Sequence, residues 1–411
     1  MSLKSSDTHR NAANSESPLI KREQNVAPAG SWAKGKVAAL VLAVLQSVAP
    51  MTPVDVFGGS VPVAEAVLTN PNTRIPKAGD VALRRAIPAL NVETKKMQEL
   101  IEELSYLLRI PQRKPYGSMA KNTKEALEIA TKSKDAILNA VGPQFRQQAE
   151  GIYASLIEGR TSYKGLLEAI DAQDADVASV RIQAVLNNLA QLELLQAPAL
   201  PFTVPAQYSN LPRLNGRATV ALEIARKGGD KFVLKAGGGA KDTATLELVL
   251  DGYSAPITAG NFADLISRQA FDGVQLIAGQ QSIITKGDIP AAQGRVLPLE
   301  IKVAGEFEPE YRTQVDVQGG EIPILPISVY GAVVAAHDPS SEALSSASQM
   351  FFYLYDRKFA GLGGLSFDEG QFSVFGYITK GIELLSQFKT GDVIQSARIT
   401  EGAERLNLPS S

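Results

Sequence analysis

The side chains able to do acid–base or nucleophilic chemistry are few. The 411 residues include no cysteine and two histidines, His9 and His337. Disulfides, thiol nucleophiles and thiolate metal sites are therefore excluded. A His-rich zinc site and a Ser-His-Asp triad both lack the imidazoles they need. The cluster Ser345-Ser346-Ala347-Ser348 has no partner base, and Gly237-Gly238-Gly239-Ala240-Lys241 lacks the closing Gly-Lys-Ser/Thr of a phosphate loop. Gly361-Leu362-Gly363-Gly364 reads as a loop, and no Asp-rich run has calcium-loop spacing. His337, beside Asp338 and Pro339, reads on its own as a partly exposed loop histidine. The net charge of −2 carries no footprint for nucleic acid. Neither a cofactor nor a metal is implied.

The organisation of the chain gives the next constraint. Val37 to Leu45 reads VAALVLAVL after Lys34 and Lys36. It is too short to span a bilayer, which takes roughly 20 apolar residues, but a basic stretch, a short apolar core and a small-residue site describe a secretory-type signal. Ala64-Glu65-Ala66 supplies that site. The polar stretch ahead of the core suits a two-part plastid address, although it carries Asp7, Glu16 and Glu23; a tail with one interfacial helix is the alternative. Residues 1–66 are therefore expected to be a targeting segment, and His9 falls in it.

Residues 67–196 are expected to form a helical bundle. Val92, Met97, Leu100, Ile101, Leu104, Leu107 and Leu108 recur at three- and four-residue steps, with Asn91 as cap and Pro111 as stop. A second helix is expected over Met119–Val141, and apolar spacing stays helical to Leu195. Such amphipathic helices bury their stripes against one another. Ala197–Pro212, with four prolines, reads as a stiff linker, the domain boundary being placed over 197–215. From Ala218 the apolar period becomes two, with one helix from Thr258, read as its cap, to Ile266. Few helices among many strands predict a closed β-barrel over 216–405, followed by a tail at 406–411.

Six strings in this half resemble the cyclophilin family. They are Ala255-Pro-Ile-Thr-Ala-Gly-Asn-Phe262, Phe271-Asp-Gly-Val274, Lys286-Gly287-Asp288, Gly331-Ala-Val-Val-Ala-Ala336, Ser348-Gln349-Met350-Phe351 and Phe372-Ser-Val-Phe-Gly-Tyr377. With the helical region and the junction from Tyr208 to Arg217, the chain resembles the large cyclophilins of the thylakoid lumen over roughly 75–405. The resemblance implies a cyclophilin-like barrel, peptidyl-prolyl cis-trans isomerase activity, a lumenal location peripheral to the thylakoid membrane at most, and a part in photosystem II assembly and maintenance. Its implied partners are proline-containing client segments, those of photosystem II subunits among them, and the chain's own helical domain.

Prolyl isomerisation crosses a barrier of about 18–20 kcal/mol without a covalent intermediate. The family holds the proline ring in an apolar pocket and directs an arginine at the twisted amide. The resemblance puts that arginine at Ala278, or at Ile277 with another gap placement. The family's pocket phenylalanine falls at Ser282, its glutamine at Thr285, its tryptophan near Ser366 or Phe367, and its histidine at Phe372. Ala336 and Phe351 keep the family's residue types, and His337 follows where a groove-lining polar group is expected. Three expectations result: a client-binding protein with little turnover, an active isomerase using other donors, or a groove covered by the helical domain.

Overall fold

The computed structural model describes residues 75–234 and 239–409, so the targeting reading of 1–66 lies outside the described residues. Seven helices come first: α1 (Gly79–Ala86), α2 (Val92–Leu107), α3 (Tyr116–Lys132), α4 (Lys134–Asn139), α5 (Arg146–Ile157), α6 (Tyr163–Asp171) and α7 (Ala175–Gln196). Asn91 caps α2 as its side chain predicts, its Oδ1 accepting from Thr94 N–H at 2.8 Å. The helix expected over Met119–Val141 is two, broken at Ser133. From α2 to α7 the apolar stripes meet in one core that includes Met97, Leu104, Tyr163, Ile182 and Leu189.

The first helix behaves differently. Ala82, Leu83 and Ala86 of α1 share a buried cluster with Tyr377, Phe351 and Val334, all from the strand region. Gly79 permits this approach, since a Cβ there would lie 2.6 Å from Tyr377 Cβ. Arg84 and Arg85 then bind Glu102 of α2 at 3.1 and 2.8 Å. Burial raises the Glu102 pKa, but Arg85 and Arg84 outweigh it and hold the carboxyl below its usual range. Glu102→Gln should therefore cost about 2 kcal/mol in a urea titration; a loss within error would show that the two arginines find other partners.

The strands are β1 (Arg213–Leu214), β2 (Arg217–Ala225), β3 (Phe232–Val233), β4 (Ala240–Lys241), β5 (Thr243–Asp251), β6 (Leu276–Ala278), β7 (Ser282–Thr285), β8 (Leu297–Pro298), β9 (Glu300–Ile301), β10 (Glu310–Tyr311), β11 (Ala332–Asp338), β12 (Ser341–Tyr353), β13 (Val374–Lys380), β14 (Val393–Glu401) and β15 (Leu406–Asn407). One antiparallel sheet runs β14-β2-β5-β13-β11-β12-β7-β6, with β8 also on β12. It curls until its edges touch: Gln275 bridges Val393, and Leu276 N–H donates to Asp392 O at 2.7 Å. Alternate residues such as Val220, Leu246, Phe352 and Phe375 fill the interior with α8 (Pro256–Ser267). Phe262 of α8 stacks on Phe375 at 4.6 Å.

Two local expectations change. Thr258 is not the cap of α8, because the helix begins two residues earlier. Its N–H and hydroxyl, with the N–H of Ile257, donate instead to the buried carboxylate of Glu300. The proline-rich 197–212 stretch is not a free spacer. Phe202, Val204, Tyr208 and Leu211 are buried beside Ile257 and Leu297. Tyr253 completes the joint: its hydroxyl donates to Ala197 O, and Arg217 lies over its ring while pairing with Asp251 at 2.6 Å.

Candidate peptide-binding groove

The antiparallel register defines the groove face. Ile277 pairs with Ile284, Ile284 with Phe351, Phe351 with Val334, and Val334 with Val374, making one row across five strands. Residues opposite one another in a sheet share a face, and their chain neighbours share the other. Leu276, Ile283 and Phe352 accordingly belong to the interior core.

This pleat separates the expected site residues. Ala278 pairs with Ile283 and packs against the interior core, so it cannot present a side chain to the groove. Ile277 is the outward residue of β6 and is 38% exposed. Thr285 also turns inward, its hydroxyl donating to Met350 O and accepting from Met350 N–H, each at 3.1 Å. The arginine position at Ala278 and the glutamine position at Thr285 are thus not groove positions; a one-residue offset moves a strand residue to the other face. Ser282 is half-buried opposite Tyr353. Phe367 is 75% exposed and lies outside the buried cluster, whereas Ser366 is buried against Tyr353, hydroxyl to hydroxyl, at 2.6 Å.

Three expected residues do come together. Phe372 lies between His337, at 4.2 Å between ring centroids, and Phe351, at 5.5 Å and nearly perpendicular. Ala336 packs against the same outer cluster, at a register shift between Ala335 and His337. Phe372, Ala336 and His337 are half-buried, whereas Phe351 is only 8% exposed, in the cluster that α1 also packs on. Beside Phe372 is a cavity of about 10 Å³, lined by Ser254, Glu300, Lys302 and Pro323 among others. That is room for about one water.

Several residues were missed by sequence reasoning. Burial pushes Glu300 up to about 7 against the pull of its three donors, and burial lowers Lys302. Glu369 is raised by burial while accepting from the N–H groups of Ile327 and Ser328 at 3.0 Å each. A lone acid inside Leu297-Pro-Leu-Glu-Ile301 was the available signal for Glu300.

Comparison with known proteins settles the family. The PsbQ-like domain of CYP38-like peptidyl-prolyl cis-trans isomerases matches residues 78–195, and the cyclophilin type peptidyl-prolyl cis-trans isomerase family matches 239–404. The Arabidopsis thaliana protein named peptidyl-prolyl cis-trans isomerase CYP37, chloroplastic, is 47% identical over 95% of this chain and 84% of its own length. The chain belongs to the thylakoid-lumen cyclophilins. A Synechocystis protein described as a candidate thylakoid lumen peptidyl-prolyl cis-trans isomerase is 33% identical over 79% of this chain and 82% of that protein. Arabidopsis CYP38, chloroplastic, is 27% identical over 85% and 79%. A solved cyclophilin of Cryptosporidium parvum is 15% identical, covers 45% of this chain and 98% of its own, and superposes with a TM-score of 0.28. The location is accordingly the chloroplast thylakoid lumen, and no helix among the described residues is long and apolar enough to cross a membrane. This cyclophilin has isoleucine at the outward β6 position and phenylalanine at Phe372, and neither side chain carries a hydrogen-bond donor.

Proposed function

We propose that this cyclophilin binds proline-containing client segments against Phe351, Phe372, Ala336 and His337, with weak turnover, and assists photosystem II assembly and maintenance. The observation that carries the weak turnover is Ile277: the one outward side chain of β6 is aliphatic. Catalysis needs interactions stronger in the transition state than in the ground state. An apolar contact to the prolyl ring favours neither isomer over the twisted form, whereas the missing guanidinium is the group that would favour the twisted form. The PsbQ-like description of residues 78–195 supports the photosystem II part. The bridge between Gln275 and Val393 supports a closed barrel, and the shared core of α2–α7 supports a bundle. The first test is a prolyl-peptide isomerisation assay on the purified protein. We expect kcat/KM about a hundredfold below that of a cyclophilin bearing the arginine. Equal activity would overturn the reading and favour an isomerase that uses other donors.

A further inference from the structure

A second concavity opens at the turn of the β6–β7 hairpin, with a volume of about 730 Å³. That is within the usual range of ligand sites, roughly 300–1,000 Å³. Tyr330, Tyr355, Phe359 and Phe388 are among its walls, with Leu354 and Leu385 between them. Phe351, Phe372 and His337 take no part in its lining. The hydroxyl of Tyr355 donates to Gly364 O, which fixes one wall. Phe359 is 43% exposed, so an aromatic face is presented to solvent.

The rim is charged. Arg357 and Lys358 begin the 3-10 turn Arg357–Phe359 and are both exposed. Neither forms an ion pair among the described residues. The one acid in the lining, Asp356, is engaged as the cap of that turn, accepting from Lys358 N–H at 2.9 Å. The rim therefore presents two cations against one anion, beside an aromatic hollow.

The placement relative to the groove matters. Tyr355 continues the line of β12, four residues beyond Phe351 and of the same parity. An extended chain covers that span in about 13 Å. Tyr355 also packs against the cluster that holds Phe351 and Phe372.

We propose that this concavity is a second peptide subsite, taking a bulky apolar residue flanked by carboxylates. A client lying along β12 would fill it about four residues from the segment held at Phe351; that spacing alone rests on the prolyl-binding reading above. Aromatic walls would take the apolar anchor, and Arg357 and Lys358 would select acidic over basic flanks.

The test is fluorescence anisotropy on the full chain with three fluorescein-labelled peptides. One is Glu-Phe-Glu followed by two alanines and a proline; the second has lysine for both glutamates; the third is the acidic peptide with the proline replaced by alanine. The acidic peptides should bind more tightly than the lysine peptide, and about 0.5 M sodium chloride should weaken them. The double reversal Arg357→Glu, Lys358→Glu should weaken the acidic peptides about fivefold or more and strengthen the lysine peptide. Equal binding of acidic and basic peptides, or a charge reversal that shifts affinity less than twofold at an unchanged unfolding midpoint, would overturn the subsite. If the proline adds no affinity while the charge reversal still acts, the prolyl reading fails and the subsite stands.

Discussion

Ile277→Arg should raise kcat/KM for prolyl isomerisation about tenfold to a hundredfold. The expectation follows from position as well as residue type. Ile277 is 38% exposed and faces outward, so an arginine can be placed there without opening the interior core. Adjacent strands are about 4.8 Å apart, so Ile277 stands roughly 10 Å from Phe351 across β7, with only Ile284 between them in the row. A guanidinium reaching over Ile284 would meet a prolyl amide held at the aromatic trio. A donor aimed at the developing transition state is worth about a hundredfold or more, and the lower figure allows for a support shell that was not built around it. Two controls make the result specific. Ala278→Arg would project from the opposite face of β6, beside Ile283 and the concavity at the hairpin turn, so it should gain no turnover. Ile277→Lys supplies charge without the planar fork and should gain less. The reading is wrong if Ala278→Arg gives the gain, or if Ile277→Arg gives none while the unmodified protein already turns over at an ordinary rate.

That pair of substitutions also shows where the sequence stops being legible. The framework strings could be read because each records a local constraint. Asn91 caps α2, and the Pro256-to-Phe262 run builds the buried α8 whose Phe262 stacks on Phe375. Phe351 and Phe372 came from the family resemblance, and the fold sets their rings 5.5 Å apart. Facing was not legible on β6, because placing a single gap one residue differently exchanges Ile277 for Ala278 and so exchanges the groove for the core. Thr285 went astray for the same reason. Contacts of long sequence separation were invisible as well. Glu300 reaches the N-terminus of α8 from 42 residues away, and Arg84 and Arg85 meet Glu102 from 18 and 17 residues away while α1 packs on β13. The prolines of 197–212 pointed correctly away from helix, but they do not reveal that Phe202 and Tyr208 are pinned to the barrel.

Folding stability should fall as the pH rises from about 4.5 to about 7, the opposite of a protein held together by exposed ion pairs. Glu193 of α7 is fully buried, and neither of its oxygens has a hydrogen bond. Lys95 stands 3.3 Å from one oxygen, close enough to attract but not aligned to donate. Burial prevails over Lys95 and pushes the Glu193 pKa from 4.5 up to about 7. Glu300 moves in the same direction to a similar value, again through burial. Below about 4.5 these carboxyls are protonated in both folded and unfolded chains, and the stability they permit is fully present. Above it the unfolded chain ionises first and is favoured, until the folded groups ionise near 7. A rise of this size corresponds to about 3 kcal/mol for each group. Carboxyls held low by partners, such as Glu102 beside Arg85 and Arg84 and Asp272 beside Arg398, have the opposite sign, but their window lies below the ordinary carboxylate pKa. Between 4.5 and 7 the raised acids therefore decide the slope. Urea midpoints at pH 5, 6 and 7.5 should decline in that order, and Glu193→Gln, neutral throughout, should remove a measurable share of the decline, Glu300 and Glu369 keeping the rest. A midpoint that climbs with pH, or a slope untouched by Glu193→Gln, would show that water reaches these carboxyls and holds their pKa near the ordinary value. In an acidifying lumen the expected sign has a direct consequence. The protein is firmest when the compartment is most acidic, and it loosens as the pH gradient relaxes, first where α7 meets α2 and where Glu300 holds the start of α8 beside the groove.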